Sequence, residues 1–257
     1  MWAGEDPLDR QPWVAAPLEM KYYSAGLEPA VWADQHLAQF ALRGCIDDDF
    51  IPAFFPGCHH GAIPSLLGAP WHGSGEDTGC DRIIASIEDI ARLPEPDIRP
   101  DSPAAAFLAF QRHCRQALPQ FPVNIADMQG PLDVAGQLWG YDDLFLAALD
   151  EPAQVDRLLT LCRQAFVRFW QEQARVCGEA LVPTHLFGWN WVPPGLGATL
   201  SMDSLVMISG DLFRDLVRPH LQAIAQTFGG LVIHSCGCFA HLVPELMALP
   251  GLRDTQC

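Results

Sequence analysis

The sequence predicts an α/β fold, with parallel strands connected by helices. Three observations carry this. The chain has 257 residues, 49% of them hydrophobic, enough for one large core, and α/β barrels take about 250 residues as a single unit. Short apolar runs alternate with stretches of helical period, and each return to a parallel neighbour needs such a crossover. Polar and metal-ligating residues also gather just past the apolar runs, the functional end of strands in folds of this kind.

Within a single domain spanning 1–257, residues 1–100 are rich in glycine, proline and acid and read as an irregular or helical part. Leu93 to Asp97 closes that part as a turn. Residues 101–257 read as regular β/α units. Phe121 to Ala126 is the first buried strand and ends at Asp127, before the turn-rich Gln129-Gly130-Pro131. Glu151 to Cys177 carries apolar residues at helical spacing, with Pro152 where a first turn tolerates it. Ala180 to Phe187 is a second strand, weakened by Pro183. Asp211 to Phe228 is a helix with a kink expected at Pro219, ended by Gly229-Gly230. Leu231 to Ile233 is a third strand, Phe239 to Leu249 a helix, and Gly251 to Cys257 opens a fourth strand. No internal repeat goes beyond this alternation.

Composition narrows the function. The formal net charge of −16 argues against a nucleic-acid backbone as partner, since such binding rests on lysine and arginine. It leaves a small-molecule substrate as the expected partner. No apolar run reaches the length of a membrane span, and the N-terminus MWAGEDPLDRQPW is acidic and polar, unlike a secretory signal. Nine cysteines scattered through the chain fit reduced thiols, most of them buried. These features predict a cytoplasmic protein.

The densest chemistry is His234-Ser235-Cys236. Residues two apart on a strand face the same side, so imidazole and thiol would converge there. Both are preferred zinc ligands, and a catalytic zinc takes three protein ligands and keeps one position open. Cys257, at the end of the next strand, is the candidate third ligand, with Cys238 a weaker one. The alternative is a histidine bonded to backbone beside a small buried thiol. Asp127, Asp203 and His185 are the candidate catalytic residues. Asp127 reads either as a pocket carboxylate or as a helix cap, while Asp203 by itself reads as a turn residue and enters the pocket only by what the family resemblance given below implies. Gln129, Trp189 and His59 are candidates for cofactor contact. Phe187, Trp189 and Trp191 would wall a flat ligand or pack as core, and Cys58-His59-His60 is a second group of soft ligands.

The series Thr199 to Ser204, Ile208-Ser209, Phe213 to Pro219, Phe228-Gly229-Gly230, His234-Ser235-Cys236-Gly237 and Leu249 to Leu252, with Asp127 to Pro131 and Asp150-Glu151-Pro152 upstream, resembles the uroporphyrinogen decarboxylase superfamily, which includes zinc-dependent methyltransferases acting on corrinoid-bound methyl groups. The resemblance runs from about Asp49 onward. It implies a (β/α)8 TIM-type barrel with its pocket at the C-terminal face. In the methyltransferase branch it implies zinc on a His-x-Cys pair, here His234 and Cys236, and a later cysteine. The family's third ligand normally lies further along than Cys257, so either Cys257 substitutes, or the zinc site is incomplete, or the barrel lacks its last units, which is the expectation for a sequence that stops inside a strand. The decarboxylase branch holds substrate carboxylates with N-terminal arginines, and the segment before Asp49 has only Arg10 and Arg43. Three functions remain open: zinc-dependent methyl transfer from a corrinoid or similar donor to a thiol, with a corrinoid protein as possible partner; cofactor-independent decarboxylation of a tetrapyrrole; and small-molecule binding without catalysis.

Overall fold

The computed structural model of the protein describes residues 28–44, 46, 50–74, 77–185, 190–193 and 195–256; the side chains of 74, 77, 184, 185, 190 and 191 lie outside that description. Helix α1 (Pro29–Arg43) starts on a proline and ends on a basic residue, matching the helix dipole at its C-terminus. The chain then enters the sheet region at Phe54, bridged in parallel to Val123. After a one-turn helix α2 (Ala62–Leu66), strands β1 (Trp71–Ser74) and β2 (Asp77–Cys80) form an antiparallel hairpin. Helix α3 (Pro103–Ala117) is capped by Ser102, whose hydroxyl accepts from the Ala105 amide. It leads to β3 (Val123–Asn124).

Helices α4 (Pro131–Trp139), α5 (Tyr141–Asp150) and α6 (Pro152–Cys177) follow. The last spans nearly the expected range, with Pro152 in its first turn. Strand β4 (Leu181–Val182) pairs parallel to β3. At Pro183 the expected second strand divides, because proline has no N–H for a ladder. Beyond it β5 (Thr184–His185) pairs antiparallel with β6 (Asn190–Trp191).

The sequence reading passed over the β1–β2 hairpin, β6 and one further strand, next to the expected third. Strand β7 (Ala198–Ser201) lies parallel to β8 (Leu231–His234), which lies parallel to β9 (Leu252–Gln256). Gly197 and Gly230 let β7 and β8 start side by side. A Cβ on Gly197 would sit 2.0 Å from the Gly230 carbonyl oxygen, and one on Gly230 2.3 Å from that of Leu196; only glycine fits either position. Between these strands runs α7 (Gly210–Leu212), a π stretch (Phe213–Val217) and α8 (Arg218–Phe228). The expected disturbance at Pro219 takes this form: the Arg218 amide reaches back to the Phe213 carbonyl, the wider π register adjoining a residue that cannot donate. Gly229, at φ +78°, ends the helix. Helix α9 (Val243–Met247) packs before β9.

The parallel pairs β3–β4 and β7–β8–β9 agree with the α/β expectation. Among the described residues their ladders remain separate rather than closing one ring, joined only by the parallel bridge between Gln129 and Ser201. One core underlies both groups, with Phe54, Val123, Phe110, Phe166, Leu200 and Ile233 buried in it. Inside that core the Gln173 carboxamide of α6 accepts from the Ala126 amide at 2.8 Å and from Gln111 Nε2 at 3.0 Å. Its own Nε2 lies 3.4 Å from Met128 Sδ. The Ala126 backbone before Asp127 and the Met128 side chain after it are thereby tied to α6.

Candidate functional site

Strands β7 and β8 end level with each other, Ser201 opposite His234. The pairing continues one step further, where the Met202 amide donates to the His234 carbonyl at 2.8 Å. Beyond it Asp203 opens a short 3-10 turn (Asp203–Met207). The Cys236 amide donates to Asp203 Oδ1 at 2.7 Å, and His234 Nε2 lies 3.2 Å from Cys236 Sγ. One carboxylate oxygen, one imidazole nitrogen and one thiol sulfur thus fall within 4.8 Å of one another, the sole trio of this kind among the described residues. His234 is buried, whereas Asp203 and Cys236 are exposed, so the trio sits at a mouth open to solvent.

This donor set suits zinc. Nitrogen, sulfur and carboxylate oxygen are its usual protein ligands, at about 2.0–2.3 Å. For a tetrahedron of that size the nitrogen–sulfur edge is roughly 3.6 Å, and His234 Nε2 and Cys236 Sγ lie 3.2 Å apart.

Asp127 stands on the other side of Ser201. Its Oδ1 accepts from the Ser201 hydroxyl and its Oδ2 from the Cys58 thiol, both at 3.3 Å. Burial raises its pKa; those two hydrogen bonds and the nearby His60 oppose the shift, while Asp203 adds to it. Asp127 does not cap the following helix: Gly130 holds that position, without a side-chain bond. Gln129 bridges Ser201 through its backbone, and its side-chain oxygen accepts from Gln137.

Asp127, Asp203, His234 and Cys236 therefore share one neighbourhood, with Gln129 beside it. His59 does not join the trio. Its Nδ1 accepts from the Gly61 amide at 3.0 Å, its ring stands edge-on to Trp71, and burial lowers its pKa to about 4. The three soft residues in a row diverge: Cys58 turns to Asp127, His59 to Gly61, and His60 donates to the Thr78 carbonyl at 3.2 Å. The backbone of His185 lies in β5, but its side chain, Phe187, Trp189, the Trp191 side chain and Cys257 lie outside the described residues.

Two contributors escaped the sequence reading. Ser201 stood only within the family series, with no strand and no role at the site foreseen for it. Asp133, in the first turn of α4, is 5% exposed, and its two oxygens accept from the Asp203 amide at 2.7 Å and the Ser204 amide at 3.0 Å. Burial pushes its carboxyl up to about 6 against those hydrogen bonds. The available signal was an acid within an otherwise apolar helix, PLDVAGQLW; such an acid needs partners.

Of the cysteines, Cys58, Cys114, Cys162 and Cys177 are buried, and Cys236 and Cys238 are exposed. No helix among the described residues is long and apolar enough to cross a membrane.

Comparison with known proteins agrees with this layout. A methyltransferase from Methanosarcina mazei superposes with a TM-score of 0.64 at 16% identity, over 95% of this chain and 74% of its own. At that identity the likeness concerns the fold. No curated protein matches the chain. The uroporphyrinogen decarboxylase (URO-D) profile matches residues 74–253, a span that includes β3 to β8 and every member of the trio. By that match the chain belongs to the uroporphyrinogen decarboxylase family.

Proposed function

We propose that the protein is a methyltransferase that moves a methyl group from a corrinoid, or a similar donor, to a thiol, using zinc held by His234, Cys236 and Asp203. The observation that carries the reading is the convergence of the three donor atoms within 4.8 Å at the ends of parallel strands. The likeness to a methyltransferase fold supports it, and we read the parallel pairs β3–β4 and β7–β8–β9 as parts of a (β/α)8 arrangement.

Zinc bound there would supply a Lewis acid that lowers the pKa of an acceptor thiol, giving a thiolate at neutral pH. The remaining work falls to the chain itself. His234 and Cys236 fix the position at the strand end, and the exposure of Cys236 leaves the approach open. Asp127, a carboxyl of raised pKa next to Ser201, would receive the proton that the acceptor thiol loses when it binds as thiolate, before the sulfur attacks. The methyl group then leaves the donor without its bonding electrons, and the thiol becomes a thioether. Cys257 is the rival third ligand. His185, Gln129, Trp189 and His59 stand as candidate contacts for substrate or donor. The partners are a small thiol and a corrinoid protein, with neither nucleic acid nor membrane required.

The family match favours one other reading, metal-free decarboxylation of a tetrapyrrole. Two measurements separate them. Metal analysis of the protein beside His234→Ala and Cys236→Ser should give stoichiometric zinc in the first and little in the others. Methylcobalamin and a thiol should yield thioether with the zinc-loaded protein. Equal zinc in all three, or none in the parent after zinc supplementation, removes the methyltransferase reading. Release of carbon dioxide from uroporphyrinogen would establish the other.

A further inference from the structure

We infer that Asp133 is the positioning residue of the trio: it fixes where Asp203, and through it Cys236, presents its ligand atom. This rests on the proposed zinc site and deepens it.

The connection can be followed bond by bond. Asp133 leaves the first turn of α4 and sits almost wholly out of water. Its two carboxylate oxygens divide between consecutive amides, Oδ2 to Asp203 and Oδ1 to Ser204. These amides begin the 3-10 turn Asp203–Met207, so Asp133 caps that turn from a different helix. Caps normally come from the residue just before the turn, here Met202, which has no side-chain acceptor. With its backbone held, Asp203 directs Oδ1 to the Cys236 amide at 2.7 Å. The order is therefore α4, Asp133, the Asp203 backbone, the Asp203 carboxylate, the Cys236 backbone. Two of the three donors are set by one buried acid that touches neither metal nor substrate.

Packing rules out a loose arrangement. Ser204 and Met202 are buried to within 1% of full burial. Gly130, which opens α4, lies so near β7 that a Cβ there would come 3.1 Å from Met202 Sδ and 3.2 Å from Leu200 Cδ1. The helix start and the strand end are thus pressed together, and Asp133 bridges them. An acceptor pair this buried is costly to break, because the freed amides would lack water to replace it. Outer partners of this kind typically govern metal affinity by about 10- to 100-fold.

The test uses the full chain and zinc itself. Zinc affinity is measured by competition with a chromophoric chelator for the parent, Asp133→Asn, Asp133→Ala and, as a stability control, Gln173→Ala. Gln173 lies in the buried amide network rather than at the trio, so its variant should unfold at lower temperature with zinc affinity unchanged. Asp133→Ala should bind zinc about 10- to 100-fold more weakly, Asp133→Asn by an intermediate factor, and the cobalt-substituted forms should show altered absorption bands. Affinity within twofold of the parent in either folded Asp133 variant would overturn the inference. Should both variants fail to fold, amide exchange in the parent decides. The Asp203 and Ser204 amides should exchange at least about 100-fold more slowly than free peptide, and exchange at the free rate overturns the inference. If the parent binds no zinc, the methyltransferase reading fails by itself. The exchange measurement then still decides whether Asp133 holds the turn.

Discussion

His36 and His234 are both buried histidines, and their surroundings differ in a way that separates structure from function. His36, on α1, is 0% exposed within an aromatic cluster of Trp32, Phe40, Phe54 and Phe110. Both its nitrogens serve the backbone: Nδ1 donates to the Trp32 carbonyl at 2.8 Å, and Nε2 accepts from the Phe55 amide at 3.1 Å. That pattern fixes one neutral tautomer, and burial holds the pKa down at about 4. His234 instead turns Nε2 towards a thiol at a solvent-facing mouth, beside a carboxylate. Burial and ring chemistry are alike in the two places. What differs is whether the partners are backbone groups that finish a fold or side chains that share one ligand.

The largest expected effect lies in the structural member of the pair. His36→Ala leaves a cavity among rings and frees a buried amide and a buried carbonyl, which together should cost about 3–5 kcal/mol of unfolding free energy. Zinc affinity should stay within about twofold once the variant is compared at a temperature where it is folded. Denaturant unfolding and chelator competition check both halves. A stable His36→Ala variant that has lost zinc would erase the distinction.

Acid sharpens the same contrast. Because the His36 pKa is lowered from 6.5 to about 4 on folding, the unfolded chain binds a proton in this interval and the folded chain does not. Stability is therefore retained above about pH 6.5 and falls as the pH drops towards about 4, by up to about 3 kcal/mol for this one residue. His59, also lowered to about 4 by burial, steepens the slope in the same direction. In His36→Phe the slope of unfolding free energy against pH between 4 and 6.5 should diminish. An unchanged slope would mean that the ring is already charged in the folded protein.

Zinc should stabilise through the other histidine. At a free concentration of 100 times the dissociation constant, a ligand that binds only the folded state adds about 2.7 kcal/mol. For a chain this size that corresponds to a melting point higher by about 5–10 °C. The increase should appear in the parent and in Asp156→Asn, and vanish in His234→Ala. Equal zinc-induced increases in the parent and His234→Ala would place the metal elsewhere.

Sequence alone reached the α/β class because helical and strand periods alternate cleanly after residue 101, and helix α6 stands within a residue of its expected start. It missed β7 because Ala198–Ser201 has only four residues, preceded by a Gly-rich turn and merged with the polar Met202-Asp203-Ser204 run. At the site, His234 and Cys236 were legible as a two-residue period on one strand. The placement of Asp203 was not, since it depends on the end of β7 lying level with the end of β8, a long-range register that no local pattern encodes. Asp133 was hidden for the same reason. Its oxygens meet amides seventy and seventy-one residues away, so the acid in an apolar helix signalled a need for partners without identifying them.

The smallest expected effect concerns His220, which lies between the two extremes. Its side chain is 6% exposed, and Nε2 donates to Asp156 Oδ1 at 3.1 Å, the carboxylate itself being 57% exposed. Burial lowers the His220 pKa, while the charge and hydrogen bond of Asp156 oppose the shift without reversing it. At neutral pH the contact is thus a neutral imidazole donating to a solvated carboxylate between α8 and α6, not a full ion pair. Solvent screens what charge there is, and the acceptor keeps most of its water, so the net worth should fall below about 1 kcal/mol. Asp156→Asn keeps an acceptor oxygen at nearly the same place. The melting point should therefore drop by no more than about 2–4 °C, and zinc affinity should not move. A loss above about 2 kcal/mol would show that a wet carboxylate can do for His220 what two buried backbone groups do for His36, and that exposure of the partner is not what grades these histidines.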